Sequence, residues 1–128
     1  PMDFVSLFSL LMEKRAHPRY DTKGVAQVNI LTKEGKKSNS AFKGTLSNIS
    51  QVGCCIDIRC SKRKTAKAML ARHIYVQFLI EAEGKKHQFG TTGKIIKLSF
   101  HLHNDYSVHI HFNSELDQKL LAPVISNQ

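Results

Sequence analysis

Hydrophobic and polar residues alternate with a period of two in several stretches of the chain, the mark of half-buried β-strands. In GVAQVNILT (24–32), Ala26, Val28 and Ile30 alternate with Gln27 and Asn29. AFKGTLSNIS (41–50) reads as a second strand, broken by QVG at 51–53, and CCIDI (54–58) sets Cys54, Ile56 and Ile58 on one face. HIYVQFLIEAE (73–83), rich in β-branched and aromatic residues, reads as another strand that GKKHQFG (84–90) turns back. The clearest pattern follows. Ile96, Leu98, Phe100 and Leu102 alternate with Lys97, Ser99, His101 and His103, and then Tyr106, Val108, Ile110 and Phe112 alternate with Ser107, His109 and His111. Two such rows predict one apolar face of a hairpin.

Elsewhere the period changes. KEGKKSNS (33–40) is a polar turn, and SKRKTAKAMLAR (61–72) has weak helical character and a heavy positive charge. SELDQKLLAPV (114–124) offers a Ser N-cap, acidic residues in its first turn and a proline stop, which predicts a short terminal helix. Six or so closely spaced strands make the chain mainly β, either a small barrel or a closed sandwich. Pro18 forbids a helix through the start of this region. Before it, FVSLFSLLM (4–12) is too short to span a bilayer, which needs about 20 apolar residues, and it lacks the flanks of a signal peptide. Residues 1–12 are therefore set apart as an apolar segment, and 13–128 as the domain. The segment is expected to form a short helix packed on the domain or a partner, with a membrane-surface anchor as the lesser alternative. Pro1 before Met2 reads as a cloning remnant, unless an upstream part has been cut away.

Composition narrows the classes. At 128 residues, 41% of them hydrophobic and 23% charged, the chain suits one ordered domain with a single core. A formal charge of +9 favours anionic partners, and its spread over 14–23, 33–43, 59–72 and 85–97 suggests a generally positive surface rather than one nucleic-acid stripe. Cys54, Cys55 and Cys60 are an odd number of cysteines, two of them adjacent, which points to free thiols in a reducing, cytoplasmic setting. Cys54 itself reads as a small core residue.

Catalytic chemistry finds no support. There is no G-x-S-x-G elbow, no H-E-x-x-H and no phosphate-binding P-loop, and the carboxylates are scattered. No enzyme is predicted. His101, His103, His109 and His111 share an outward face by alternation, and imidazole suits zinc or copper. With no thiol beside them and only Asp105 nearby, a solvated polar stripe is the preferred reading and metal the lesser one.

Two short motifs are more informative. EKRAHPRYD (13–21) sets Arg15 and Arg19 four residues apart on a proline-stiffened stretch, with Lys14 beside the first. Guanidinium forks bind phosphate bidentately, read the O6/N7 edge of guanine and stack on purines. The spacing alone is cheap, since Arg59 and Arg63 repeat it. Its companion NISQVG supplies Asn48, Ser50 and Gly53 as N-x-S-x-x-G between two strands. Asn48 and Ser50 can offer an amide, a carbonyl and a hydroxyl to a base edge, and Gly53 allows close approach. The alternative is a well-made turn.

In this order the two motifs resemble the PilZ domain family, and the resemblance runs from Glu13 to the late GKIIKL…YSVHIHF hairpin and the helix after it. It implies a six-stranded antiparallel β-barrel with a short C-terminal helix, acting as a bacterial receptor for the second messenger cyclic dimeric GMP (cyclic di-GMP), with no other cofactor. It further implies that Arg15 and Arg19 clamp the ligand and that Asn48 and Ser50 hydrogen-bond guanine. Gly53 would give clearance, and Lys14, where the family often has Arg, would meet phosphate as a point charge. With no effector domain evident, the output is expected to be ordering of the 13–23 loop, passed to a downstream protein. A nucleotide-independent adaptor is the alternative, and a nucleic-acid-binding barrel using 59–72 is less favoured.

Overall fold

A computed structural model of the protein describes residues 17–128. Six strands follow the alternation: β1 (Tyr20–Leu31), β2 (Lys37–Ile49), β3 (Gly53–Arg59), β4 (His73–Ala82), β5 (Lys85–Phe100) and β6 (Asp105–Phe112). Helix α1 (Arg63–Ala68) joins β3 to β4, and α2 (Gln118–Ser126) ends the chain. The strands close into a barrel in the order β1-β2-β3-β6-β5-β4, antiparallel throughout, with β4 pairing back onto β1. Closure leaves no unpaired sheet edge, which suits strands with one apolar row each.

The inward rows are those the alternation marks. Ala26, Val28 and Ile30 of β1, Cys54, Ile56 and Ile58 of β3, and Tyr106, Val108, Ile110 and Phe112 of β6 are all buried. Phe78 of β4 is fully buried, its ring centroid 5.1 Å from Phe89 and 6.1 Å from Phe112. Burial also raises the Cys54 thiol well above its ordinary pKa, with Cys55 adding to the effect, so Cys54 is a protonated core side chain. Leu121 and Val124 of α2 join the core at one end of the barrel, and Ala66 of α1 at the other.

Four local expectations are corrected. In β5 the register slips between Ile95 and Lys97, a β-bulge. Ile95 takes the inward place and is fully buried, while Ile96 is 57% exposed. The same row runs off the barrel end, so Phe100 is 51% exposed and Leu102, in a 3₁₀ turn, 76%. The stretch 84–90 is not a turn. Glu83 and Gly84 alone turn the chain, with φ of 57° and 72° as in a two-residue type I′ hairpin, and β5 begins at Lys85. The polar stretch 33–40 is likewise half strand, since β2 begins at Lys37. Finally, the terminal helix starts later than Ser114. Asp117 is its N-cap, accepting the Lys119 N–H at 3.0 Å, and the helix continues through Pro123 because Leu121 and Val124 on either side are anchored in the core.

Candidate functional site

The NISQVG stretch folds around a second bulge. Between β2 and β3 the register passes from Leu46↔Ile56 to Asn48↔Cys55, so Ser47 is the extra residue. Leu46 and Ile49 both stay fully buried, and Asn48 between them is turned to the outer face. The chain then turns tightly. Ser50 N–H donates to the Gly53 carbonyl at 2.8 Å, and the Ser50 hydroxyl oxygen accepts from Val52 N–H at 3.1 Å and Gly53 N–H at 3.2 Å. Ser50 is only 3% exposed, so its hydroxyl is committed first to shaping the turn.

Gly53 is a glycine for a reason within the fold. A Cβ there would collide with the carbonyl oxygen of Ile110 on β6, and Gly53 is not among the glycines with positive φ. Close approach of two strands, not left-handed backbone, already demands glycine at this position.

The turn is clasped from outside. Phe112 N–H donates to the Val52 carbonyl at 2.7 Å, and Leu116 N–H to the Gln51 carbonyl at 2.8 Å. The Gln51 side-chain amide returns a bond to the Leu116 carbonyl at 3.1 Å, which presents its Oε1 to His17 Nδ1 at 3.2 Å. His17 Nε2 lies 3.2 Å from Glu115 Oε1. The start of the described chain is thereby pinned against the turn. Two residues on, Arg19 stands beside β1, whose Tyr20 and Asp21 pair with Ile49 and Asn48.

The result is a cleft of about 370 Å³ on the barrel wall, to which Arg19, Asn48, Ser50 and Gly53 all contribute. Residues distant in sequence are thus brought together. Lys14 and Arg15, with the apolar segment 1–12, lie outside the described residues. The cleft also takes in His17, His109, His111 and the bulged Ile96, and among the described residues no carboxylate lines it. Sequence reasoning placed His109 and His111 on an outward stripe but not in this cleft. Their place follows from the β3–β6 register, which sets Gly53 opposite His111 and Cys55 opposite His109.

His109 has a pKa lowered from the usual histidine range. Burial is the first cause, followed by repulsion from Lys97 and Arg19, with Asp57 opposing and His101 adding to the lowering. Its Nε2 lies 3.2 Å from Ser99 Oγ. His101 Nε2 lies 2.7 Å from Ser107 Oγ, and that hydroxyl donates to Asp57 at 2.8 Å. Among the described residues no group of three or more His, Cys, Asp or Glu side chains is placed to hold a metal ion. None of their helices is long and apolar enough to cross a membrane.

A six-stranded closed barrel thus carries on its wall a cleft lined by Arg19, Asn48 and Ser50 together with apolar residues. The PilZ domain family matches residues 13–125, and the chain belongs to that family. Three solved structures share the fold. One is the Bacillus subtilis inhibitor of motility MotI/DgrA, 10% identical, with a TM-score of 0.65 over 88% of this chain and 49% of that one. Another is the PilZ domain of YcgR from Escherichia coli with c-di-GMP, 14% identical, with a TM-score of 0.60 over 89% of this chain and 91% of that one. The third is PlzA of Borreliella burgdorferi in complex with c-di-GMP, 11% identical, with a TM-score of 0.56 over 92% of this chain and 52% of that one. The chain spans about half the length of MotI and of PlzA. No curated protein matches the sequence.

Proposed function

We propose that this domain is a receptor for cyclic di-GMP, binding it in the cleft beside Arg19 and signalling without catalysis. The observation that carries the reading is the convergence of Arg19, Asn48, Ser50 and Gly53 on one cleft that has no carboxylate among the described residues of its lining. Two of the structural relatives, YcgR and PlzA, were solved with that ligand. The ligand has two phosphates and two guanines. Arg19 offers a fork to a phosphate or to the guanine O6/N7 edge, and Arg15 and Lys14 add charge from the same stretch. Asn48, turned outward by the bulge, presents its amide to a base edge. Ser50 acts by holding the turn that positions Asn48.

The output in this reading is a change in the N-terminal stretch. Residues 20–23 are already strand and His17 is tied to Gln51 and Glu115, so in this reading ligand binding acts on those His17 contacts and carries the change to a downstream protein. The location that fits is the cytoplasm.

Calorimetric titration with cyclic di-GMP, beside GTP, tests the reading. Saturable binding of the cyclic dinucleotide and at least a tenfold preference over GTP is the expected result, about 1.4 kcal/mol. Absence of both binding heat and thermal stabilisation would overturn it.

A further inference from the structure

We infer that His109 is the proton-coupled arm of this cleft, so that the dianionic guanine dinucleotide is taken up together with a proton on the His109 imidazole. The inference rests on the reading of the cleft given above and specifies how that site responds to pH.

Position comes first. On the outer wall His109 of β6 pairs with Cys55 of β3 on one side and Lys97 of β5 on the other. It therefore lines the cleft together with Cys55 and with Asn48, which pairs with Cys55 from β2, while Lys97 stands beside the cleft outside its lining. Its Nε2 faces the Ser99 hydroxyl, and a hydroxyl can donate to a neutral ring nitrogen or accept from a protonated one. Either state of the ring is thus satisfied on that side. Among the described residues Nδ1 has no protein hydrogen-bond partner.

The surroundings decide which state prevails. The charged and titratable groups facing His109 are Lys97 from β5, Arg19 from the stretch before β1, Asp57 from β3 and His101 just after β5. Lys97 and Arg19 both oppose a third positive charge. Asp57 favours one, but its carboxylate already accepts the Ser107 hydroxyl. Without a bound anion, burial and the two cations favour the neutral imidazole. A phosphate placed in the cleft against Arg19 offsets the positive field of Arg19 and the nearby Lys97 and gives the imidazolium a charge-assisted partner. Binding then raises the His109 pKa, and by linkage protonation raises affinity.

The sign is fixed. Affinity increases as pH falls from above the bound-state pKa towards the free-state pKa, which lies below the usual histidine value, and levels off beneath it. The slope is at most tenfold per pH unit, the limit for one proton.

The test is calorimetry with cyclic di-GMP on the full chain between pH 5.5 and 8, in paired buffers of different ionisation heat. Wild type should take up a fraction of a proton per site, and binding should tighten on acidification. His109→Gln should remove the uptake and flatten the profile, whereas His103→Gln, in the hairpin turn outside the cleft lining, should keep it. Because a variant can be lost to misfolding, the His109 ring resonance of wild type should also be titrated by NMR with and without ligand. Its midpoint should move up. Binding with no proton uptake, uptake that survives in His109→Gln, or an unmoved midpoint overturns the inference and leaves the receptor reading intact. No binding at any pH overturns both.

Discussion

Gly53→Ala separates two reasons for a motif glycine. If the residue served the ligand, alanine would weaken binding and leave the fold alone. The structure points the other way. A methyl at position 53 would overlap the Ile110 carbonyl oxygen, and it would lie 3.5 Å from the carbonyl carbon and 3.7 Å from His111 Cα. These are backbone atoms of β6, held in place by the Gly53↔His111 and Cys54↔Ile110 pairs, so no flexible side chain can swing aside. Strands β3 and β6 must separate locally, at a cost typical of overpacking, about 1–3 kcal/mol. For a domain of this size roughly 3–6 °C accompanies each kcal/mol, so Tm should fall by about 5–15 °C. The urea midpoint should fall by about 1 M. Far-UV circular dichroism is the suitable probe, since the chain has no tryptophan. A variant that melts like wild type yet binds cyclic di-GMP weakly would refute the strand-crossing argument.

Three further outcomes are expected. Arg19→Ala should weaken cyclic di-GMP binding tenfold or more, from a contact worth about 1–3 kcal/mol, while leaving Tm nearly unchanged, because Arg19 is exposed and makes no side-chain hydrogen bond among the described residues. Calorimetry and a thermal melt together check it. Phe78→Ala should cost about 3–5 kcal/mol in urea unfolding, since it empties the contact of three packed rings at the core. In the unliganded protein, the lowered His109 pKa means that the folded state prefers the neutral ring. Its contribution to stability is present above the unfolded histidine pKa of about 6.5 and is lost as pH falls below that towards the folded value. Thermal melts from pH 7.5 to 5.5 should therefore decline less steeply in His109→Gln than in wild type.

The legible part of this protein is local. Every inward residue marked in β1, β3 and β6 is buried, because a strand with one face on a core must repeat its apolar residues every second position. The motif order also brought Arg19, Asn48, Ser50 and Gly53 to attention before any pairing was known. Pattern reading failed at Ile96 and was silent on the bulge at Ser47, and for one reason. A single inserted residue shifts the phase of the alternation, and which residue is inserted depends on the strand across from it. Both bulges sit at the cleft: one turns Asn48 outward, the other puts Ile96 at its edge. The helix start at Asp117 was missed because Ser114 offers the same capping chemistry, and only the packing of Leu121 and Val124 selects between them.

The sequence by itself determined a mainly β domain, the inward faces of its strands, a cationic character and the residues of a candidate anion site. The tertiary structure alone decided how the ring closes, through the β4–β1 and β3–β6 pairings. That closure places His109 and His111 in the cleft, sets Lys97 and Arg19 near His109, and makes a side chain at position 53 costly. The division is physical. Side-chain alternation is set by neighbours two residues apart, whereas the partner of a barrel strand is chosen by closure of the whole sheet, to which no short stretch of sequence has access.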